Sequence, residues 1–549
     1  MRSLPFLALS FLLLAAGAAP TAGIDTTTTD ERILQEAKVG TKPDDLLDYF
    51  RKRTLPDVEA DKMRGLIKKL GDDSFAVREE ASNELIKLGM VAEPLLRQAA
   101  MEKDIEIVRR AEECLKQMKV GPSAAVDAAA LRLLAKQRPA GAAEAVLGWV
   151  PFVGSPLLLQ EARETLAATA VRDGKLDKGV EAALTASLPQ RRAAAAVAIC
   201  RAGSADQSRS VRALLKDDDR TVRLQTALAL AEARDADAMP TLIELLPVLP
   251  LSQAWQAEDM LFRIAGAQPP AISFGSEANG RKAAQEKWTA WWKEHKDKLD
   301  LSKLESEHRT QGRTMVVLLD QGIVQELDAK GAVTWQLKDV QFPLDGQHLP
   351  NDQVLLAEHG ANQVTIRNRK GETVRKIDVE GGPLVAQQRA NGNIFIATDQ
   401  QIIEVDDNDK KVFEYRRPLE TFRKALRLRN GDVAVVTSGQ RYIRLSPDLK
   451  ELRTFEADIR TNGGRIDVLP NGHVLIPLKD ANRVVECDPE GNVVWEATAE
   501  EPISALRLPN GHTLVNTLNQ RRAVELDAAA QEVWEYKNAE SRVTRAWRR

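Results

Sequence analysis

Residues 469–496 read LPNGHVLIPLKDANRVVECDPEGNVVWE, and this stretch determines the fold of the second half of the chain. The Asn471-Gly472 pair supplies the positive φ angles of a tight hairpin turn, and an apolar run lies on each side of it. A second turn follows between Asp488 and Trp495. Two hairpins in one unit predict four antiparallel strands.

This unit recurs along the second half of the chain. Five matching turns are marked by asparagines separated by 40, 39, 41 and 39 residues: Asn351, Asn391, Asn430, Asn471 and Asn510. The second turn recurs at Asp328, Asp406, Asp488 and Asp527, and the units near Asn368 and Pro447 are degenerate. Four strands in about 40 residues are typical of a β-propeller blade.

The number of blades follows from the two ends of this repeat. Residues 314–319, 323–327 and 333–337 predict three strands that lack a preceding one, and five complete periods follow. Residues 540–547 align with residues 501–508 as one more inner strand. Because a closed ring has no free sheet edge, we expect a six-bladed β-propeller over residues 310–549 with the C-terminal strand as its clasp. The basic residues of this end are assigned to the strand and its solvated tip rather than to an anionic partner: Arg542, Arg545, Arg548 and Arg549.

The first half of the chain is helical in composition, with 38 alanines in residues 51–250. Three stretches share an Asp followed four residues later by Val-Arg, beginning at Asp73, Asp104 and Asp218. Each opens an amphipathic run, and we expect the Asp in the turn or at the N-cap. Stacked helix pairs of this kind predict an α-solenoid. The Val-Arg pair is interpreted as structural within each repeat, with partner binding as the alternative.

Two of these stretches resemble HEAT repeats: LIKKLGDDSFAVREEASNELIKLG at residues 66–89 and VRALLKDDDRTVRLQTALALAEA at residues 211–233. The resemblance implies a HEAT-like α-solenoid over residues 58–305. A long helix predicted over residues 278–304 places Trp288, Trp291, Trp292 and His295 on one face. We expect this face to cap the solenoid or dock it to the next domain, with a ligand stack as the alternative.

The β repeat also resembles known families. RLPNGHTLVNTLNQRRAVELDAAAQEVWEY at residues 507–536, like the stretch quoted first, resembles PQQ-like and arylsulfotransferase-type propeller repeats of exported bacterial proteins. AEHGANQVTIRNRKGE at residues 357–372 is similar to an NHL repeat. The order of HEAT-like helices, Trp-rich helix and propeller looks like that of exported planctomycete-type proteins.

The arylsulfotransferase-type resemblance implies a channel histidine as nucleophile, supported by cationic side chains. The candidates are His348 and His359, with Arg367 or the Arg416-Arg417 pair as helper. Structural or surface histidines remain the better interpretation, so no catalytic residue is assigned. His473 and His512 follow Asn-Gly at equivalent positions, which hairpin geometry explains. Quinoproteins that resemble this repeat are larger eight-bladed rings with a calcium-binding carboxylate set, and we expect no PQQ, no other cofactor and no metal here.

The N-terminus predicts export. Arg2, an apolar run at residues 4–16 and small residues at 17–23 describe a secretory signal peptide over residues 1–23, with cleavage after Ala18 or Gly23. A membrane anchor is the alternative, although the run is shorter than the roughly 20 residues of a spanning helix. We expect a periplasmic or secreted chain without a membrane span and with residues 24–57 as an N-terminal segment or linker.

The three cysteines are expected to be buried apolar residues: Cys114, Cys200 and Cys487.

Charge and motifs limit the function. The 77 Lys and Arg residues nearly balance the 80 Asp and Glu residues, which argues against a nucleic-acid protein with a broad basic surface. The sequence carries no P-loop, G-x-S-x-G or H-E-x-x-H motif.

Two hypotheses about the function remain. The favoured one is an interaction or scaffold protein that binds a protein or peptide through its solenoid and propeller surfaces. The alternative is an enzyme of the sulfotransferase or lactonase kind that uses the propeller channel.

Overall fold

A computed structural model describes residues 26–54, 57–89, 92–100, 104–118, 124–153, 155–272, 278–304, 313–328, 330–349 and 352–548. The predicted signal peptide, Asn351 and Arg549 lie outside the described residues. A helical region comes first and a six-bladed β-propeller follows it. Within the described ranges, no helix combines the length and the apolar character needed to cross a membrane.

The helical region is built from α-helices joined by short turns. They are α1 (Thr27–Glu36), α2 (Pro43–Arg51), α3 (Asp57–Lys69), α4 (Phe75–Leu88), α5 (Glu93–Ala99), α6 (Ile105–Gln117), α7 (Ala124–Gln137), α8 (Ala142–Trp149), α9 (Pro156–Thr169), α10 (Lys178–Ala183), α11 (Pro189–Ala202), α12 (Ala205–Arg209), α13 (Arg220–Glu232), α14 (Ala238–Leu245), α15 (Leu251–Ala265) and α16 (Ala278–His295). A small hairpin lies between α9 and α10, with strands β1 (Val171–Arg172) and β2 (Lys175–Leu176). Helix α11 buries residues 193–199, five of them alanine, and packs between α9 and α13.

The repeated aspartates lie at helix starts, with one shift of position. Asp104 is the N-cap of α6 and accepts hydrogen bonds from two backbone N–H groups of the first turn. In the third repeat the N-cap of α13 is Asp219, one residue after the predicted Asp218. In the first repeat Ser74 precedes α4 and makes no side-chain cap.

The described part of the N-terminal segment is not an extended linker. Residues 26–54 contain α1 and α2, and they bury Leu34, Leu46 and Phe50 in the core of the helical region. Leu46 and Phe50 are four residues apart and therefore lie on one helix face. Helix α1 packs against α7, so the helical core begins earlier than the predicted boundary at residue 58.

The Trp-rich helix α16 ends at His295, earlier than the predicted residue 304. Trp288 and Trp291 are buried, and Trp288 meets the ring of Phe262 edge to face at 5.1 Å. The His295 ring stacks on Trp291 at 4.6 Å. Trp288 and Trp291 of this face thus pack in the helical core, with Trp292 partly buried against it.

The propeller consists of six four-stranded antiparallel sheets, numbered here as blades 1–6. From the axis outward, blade 1 holds β26 (Val543–Arg548), β3 (Thr314–Leu318), β4 (Ile323–Leu327) and β5 (Val333–Leu337). Blade 2 holds β6 (Pro343–Leu349), β7 (Gln353–Glu358), β8 (Gln363–Arg367) and β9 (Thr373–Asp378). Blade 3 holds β10 (Pro383–Gln388), β11 (Ile394–Thr398), β12 (Ile402–Val405) and β13 (Lys411–Tyr415). Blade 4 holds β14 (Phe422–Arg427), β15 (Val433–Thr437), β16 (Arg441–Leu445) and β17 (Glu451–Glu456). Blade 5 holds β18 (Asp467–Val468), β19 (Val474–Leu478), β20 (Arg483–Cys487) and β21 (Val493–Thr498). Blade 6 holds β22 (Pro502–Arg507), β23 (Thr513–Thr517), β24 (Arg522–Leu526) and β25 (Glu532–Lys537).

The ring closes as the repeat count predicts, because β26 pairs with β3 and completes blade 1. Arg542 holds this closure through a bidentate ion pair with Asp320, whose shortest distance is 2.5 Å. The Ser541 hydroxyl accepts the Asp320 backbone N–H at 3.0 Å. In β26, Val543 occupies the place that Pro502 has in β22, two residues away from the predicted alignment.

The second turn is present in every blade, including the two units that read as degenerate. In each, one side-chain oxygen accepts the backbone N–H four residues later; the acceptors are Asp328, Asn368, Asp406, Ser446, Asp488 and Asp527. Asn and Ser replace Asp in the degenerate units because a carbonyl or hydroxyl oxygen accepts the same bond.

The helical region docks on the Asn-Gly turns of blades 4, 5 and 6, and this contact is called the domain junction. On α15, Asp259 pairs with Arg429 at 2.9 Å, and Trp255 lies against Gly472. On α9, the Gln160 amide donates to the backbone oxygen of Pro509 at 3.1 Å. The hairpin turns predicted from the repeat therefore carry a second role that the sequence pattern does not reveal.

A buried charge network crosses the domain junction at blade 6. His512 contacts Glu525 of its own blade through Nδ1 at 2.6 Å and Glu161 of α9 through Nε2 at 2.8 Å. Arg132 of α7 contacts Glu161 and Asp527, each at 3.0 Å. Since each charge is buried and paired, the two regions stabilise one another at this point.

Candidate functional site at the propeller axis

The axis of the propeller is lined by one residue from each inner strand. Five inner strands carry a bulge near their start, and the residue after it is Asp345, Val385, Lys424, Ser504 or Arg545. In blade 5 Arg465 lies six residues before Asn471, as Ser504 lies six residues before Asn510. The four charged members are called the axial cluster: Asp345, Lys424, Arg465 and Arg545.

An ion pair spans the ring through its centre. Arg465 of blade 5 contacts Asp345 of blade 2, with Nη2 and Oδ2 2.5 Å apart, and blades 2 and 5 are opposite in a six-bladed ring. Arg465 also donates to the backbone oxygen of Ala386 at 2.7 Å. Asp345 in turn accepts the Ala386 backbone N–H at 3.1 Å. Side chains of blades 2 and 5 and the backbone of blade 3 therefore meet at the axis at this level.

The other two cations of the axial cluster are also buried. Lys424 is 1% exposed, and its Nζ donates to the backbone oxygens of Gly463 and Ile503. Burial lowers the pKa of Lys424 to about 7. Arg545 lies 3.6 Å from Asp345, and burial, together with the charge of Arg465, lowers its pKa to about 10. Lys424 and Arg545 therefore contact groups of the ring itself.

The structure separates the two candidate histidines. His348 lies near the end of β6, stacked 6.5 Å from the ring of Trp547, and its Nε2 is 3.7 Å from Asp352. His359 follows β7 at its other end, beside Phe342. The six residues of β7 run between them, a span of about 20 Å at 3.3 Å per residue. The structure therefore does not bring His348 and His359 together at one site.

The arginines considered as helpers hold parts of the ring together. Arg367 Nη2 donates to both oxygens of the buried Glu358 carboxylate, at 2.7 and 2.9 Å. Arg416 contacts Glu380 at 2.7 Å, and Arg417 contacts Glu451 at 2.9 Å. None of these three contacts includes His348 or His359.

A different arginine motif joins neighbouring blades. Arg427, Arg507 and Arg548 end three inner strands, and each lies over an aromatic ring of the preceding blade, at 4.0–4.9 Å from Phe413, Trp495 and Trp534. Arg507 and Arg548 also pair with the preceding blade's Glu486 and Glu525. The tryptophans of the second turn are therefore explained by blade packing through cation–π contacts.

The described cysteines and acidic groups give no sign of reactive or metal chemistry. Burial raises the pKa of Cys114, that of Cys200 to about 12 and that of Cys487 to about 11. Such thiols are poor nucleophiles at neutral pH. In the part of the chain that the structure describes, no three His, Cys, Asp or Glu side chains gather as metal ligands would.

Several solved structures are similar to part of this chain. No family model matches the sequence, and no curated protein matches it. A Bacteroides caccae protein of unknown function has a TM-score of 0.36 and 14% identity over 43% of this chain and 97% of its own. Virginiamycin B lyase from Staphylococcus aureus, solved as a catalytically inactive variant with quinupristin, has a TM-score of 0.30 and 14% identity, covering 41% and 74%. The Cps50 (Swd1) β-propeller domain of Myceliophteria thermophila has a TM-score of 0.32 and 12% identity, covering 40% and 82%.

Proposed function

We propose that this chain is an exported interaction protein that binds a protein or peptide partner on the outer surface of its helical region. The observation that supports this most is the filled axis, where Asp345 and Arg465 join opposite blades. An axis occupied by mutually bonded side chains favours binding at the surface over chemistry in the channel. Export rests on residues 1–23, and N-terminal sequencing of the mature protein should begin after Ala18 or Gly23.

We propose further that the helical region is a HEAT-like solenoid. Helices α9, α11 and α13 pack in succession, as repeat units do. Arg78 donates to the backbone oxygens of Asp72 and Asp73 at 2.6 and 3.0 Å, and Arg192 makes the corresponding pair of bonds in a later unit. Arg78 and Arg192 thus each stabilise the turn before their own helix, whereas Arg109 pairs with Glu106 of its own helix.

The first helical units offer an apolar surface. Phe75 at the start of α4 is 64% exposed, and Ile105 at the start of α6 is 84% exposed. The two helices pack against each other, and Arg110 of α6 lies 5.4 Å from the Phe75 ring. Exposed aromatic and aliphatic side chains beside arginines are typical of the energetic centre of a protein interface.

Affinity capture with full-length protein tests this proposal. The tag belongs at the N-terminus of the mature chain because β26 closes the ring, and the halves should stay together because they share buried charges. We expect a partner from an extracytoplasmic extract to be retained by the wild type and lost, by about tenfold in amount, from the F75S/I105S double variant. The matched control is V374S/V412S, which changes exposed apolar residues on blades 2 and 3. Equal capture by both double variants, or no capture at all, would contradict the proposal.

The alternative function is an enzyme that acts at the propeller axis. The feature in its favour is Lys424, whose low pKa is of the kind that activates a lysine nucleophile. Its Nζ is directed at two backbone oxygens, however, and the residue is fully enclosed. Acetylation of Lys424 by acetic anhydride under native conditions, read by mass spectrometry, separates the two functions. Rapid modification favours the enzyme, and protection favours the interaction protein.

A further inference from the structure

A cavity of about 210 Å³ lies at the domain junction, between α15 and the inner ends of blades 4 and 5. Its lining includes Trp255 and Glu258 from α15, and Gln387, Arg427, Arg444 and Asp467 from the propeller. At roughly 30 Å³ per water, this volume equals about seven water molecules. The cavity therefore has room for a small molecule.

Two side chains in the cavity wall, Arg427 and Trp255, carry hydrogen-bond donors that lack acceptors. Arg427 is 9% exposed, and its Nε and Nη1 are buried with no hydrogen-bond partner among the described residues. The nearest carboxylate oxygen, on Glu404, is 3.4 Å from Nε, and the guanidinium lies over the Phe413 ring. Trp255 is 4% exposed, and its Nε1 likewise has no partner there. Buried donors without acceptors are costly in a folded protein, so each one requires an explanation.

Other polar groups of the wall are already engaged. Arg444 pairs with Asp432 at 2.7 Å and stacks on Trp255 at 4.2 Å. Gln387 accepts the backbone N–H of Arg427 and donates to its backbone oxygen. Asp259 is paired with Arg429. The unpaired groups of Arg427 and Trp255 in the cavity wall are therefore donors, which need hydrogen-bond acceptors.

The wall holds three arginines and three carboxylates, so an anion is favoured at Arg427 by its unpaired N–H donors and not by net charge. Burial and the charge of Arg389 lower the pKa of Arg427 to about 10, so the guanidinium remains protonated at neutral pH. Burial also raises the pKa of Asp467. A carboxylate supplies two acceptor oxygens in the plane that a guanidinium prefers.

We propose that this cavity binds a small monocarboxylate, whose oxygens accept hydrogen bonds from Arg427 and from Nε1 of Trp255. The ligand contacts both the helical region and the propeller, so its binding also stabilises the domain junction. This site is separate from the surface at Phe75 and Ile105, and either proposal can fail without the other.

Propionate and propionamide are the probes for this site, because they have nearly the same shape and differ in charge. Titration of ¹³C-carboxyl-labelled propionate followed by NMR should show saturable binding to the full-length protein, and unlabelled propionamide should not displace the propionate. Arg427→Met should weaken the binding of propionate about tenfold, the effect of losing a charge-assisted hydrogen bond. Arg507→Met is the matched control, since Arg507 has the same place in blade 6 and does not line the cavity.

Trp255→Phe keeps an aromatic ring against Arg444 and removes Nε1. It should weaken propionate binding by about threefold to tenfold, and it provides the decisive test if Arg427→Met does not fold. The proposal is overturned if propionamide competes as well as propionate does, if no saturable binding occurs, or if Trp255→Phe and every folded Arg427 variant bind propionate as the wild type does.

Discussion

At the scale of the residue, one repeat position changes its partner from blade to blade. The residue after Asn-Gly contacts the third strand of its own blade in four cases: Asn393 with Glu404, Asp432 with Arg444, His473 with Glu486 and His512 with Glu525. Blade 4 reverses the charges of the pair, and its Arg444 then stacks on Trp255. In blade 6 His512 gains Glu161 as a second partner. Hairpin geometry explains the first contact of His512 but not the second.

His512 gives a prediction about pH. Burial alone would lower its pKa, but the charge and hydrogen bond of Glu161, with those of Glu525, outweigh burial and raise this pKa to about 10. The protonated ring therefore stabilises the fold fully below its unfolded pKa of about 6.5, and this stabilisation is lost as the pH rises through 10. We expect His512→Gln to lower the free energy of unfolding by about 3 kcal/mol at pH 6 and by less at each step toward pH 10.

Denaturant unfolding of both proteins between pH 6 and 10 measures this difference. His473→Gln is the control, because His473 is half-buried and pairs with Glu486 of its own blade at the equivalent place in blade 5. His473→Gln should lower the free energy of unfolding by about 1 kcal/mol or less. A destabilisation by His512→Gln that does not change across this range would refute the assignment of the charged form.

The axial cluster shows where residue-level prediction stops. Three of its members, Asp345, Lys424 and Arg465, each lie six residues before an asparagine of the repeat. That offset is a signal which the sequence contains. Their pairing is not contained in it, because Asp345 and Arg465 are 120 residues apart and meet only when the ring is closed. The same applies to His512 and Glu161, which belong to different domains.

At the scale of the element, the Asn-Gly turns were predicted and their use as a docking surface was not. Gly472 has φ +84°, and a Cβ there would overlap the ring of Trp255. Gly511 has φ +88°, and a Cβ there would lie 2.6 Å from Cγ of Gln160. Glycine therefore serves the turn and also the close approach of the helices.

Gly472→Ala should damage the domain junction beyond its effect on the turn. Gly392→Ala is the matched control, because Gly392 has φ +89° in the same turn of blade 3, where the nearest atoms belong to Asp407. Both changes strain the backbone by about 1 kcal/mol. We expect Gly472→Ala alone to expose the chain between the two regions to limited proteolysis, with release of the propeller. Identical digestion patterns for the two variants would contradict this.

The inner strands also explain why the alignment of the last strand differed by two residues. A bulge falls between Pro502 and Ser504 in β22, and one falls between Val543 and Arg545 in β26. Hydrophobic alternation is interrupted at a bulge, so pattern matching at a short C-terminal strand slips easily. The existence of the strand was predictable from the missing fourth strand of blade 1, whereas its register required the pairing with β3.

At the scale of the whole molecule, the ring depends on a strand from its far end. Deletion of residues 540–549 removes β26, with the Arg542–Asp320 pair, the Arg548–Glu525 pair and the Arg545 member of the axial cluster. We expect this truncation to lower the melting temperature by about 10 °C or more, since the loss of several buried contacts costs about 4 kcal/mol or more. Calorimetry of the truncated and the intact protein measures this difference in melting temperature.

A synthetic peptide of residues 540–549 provides the control for that truncation. Added in excess to the truncated protein, it should restore most of the lost melting temperature, because it binds the folded ring and not the unfolded chain. A peptide with Arg542→Ala and Arg545→Ala should restore less. A truncated protein that melts as the intact one does would show that β26 does not close the ring.

The pairing of β26 with β3 also determines when the propeller can close during synthesis on the ribosome. Translation runs from the N-terminus at about 5–20 residues per second, so the 225 residues between Leu318 and Val543 take on the order of 10–45 seconds to appear. Throughout that interval the inner edge of blade 1 is unpaired. Helices α9 and α15 also lack the Asn-Gly turns of the later blades, on which they dock in the folded protein. In the nascent chain, the inner edge of blade 1 at β3 is therefore the sheet edge of the propeller that stays unpaired for longest.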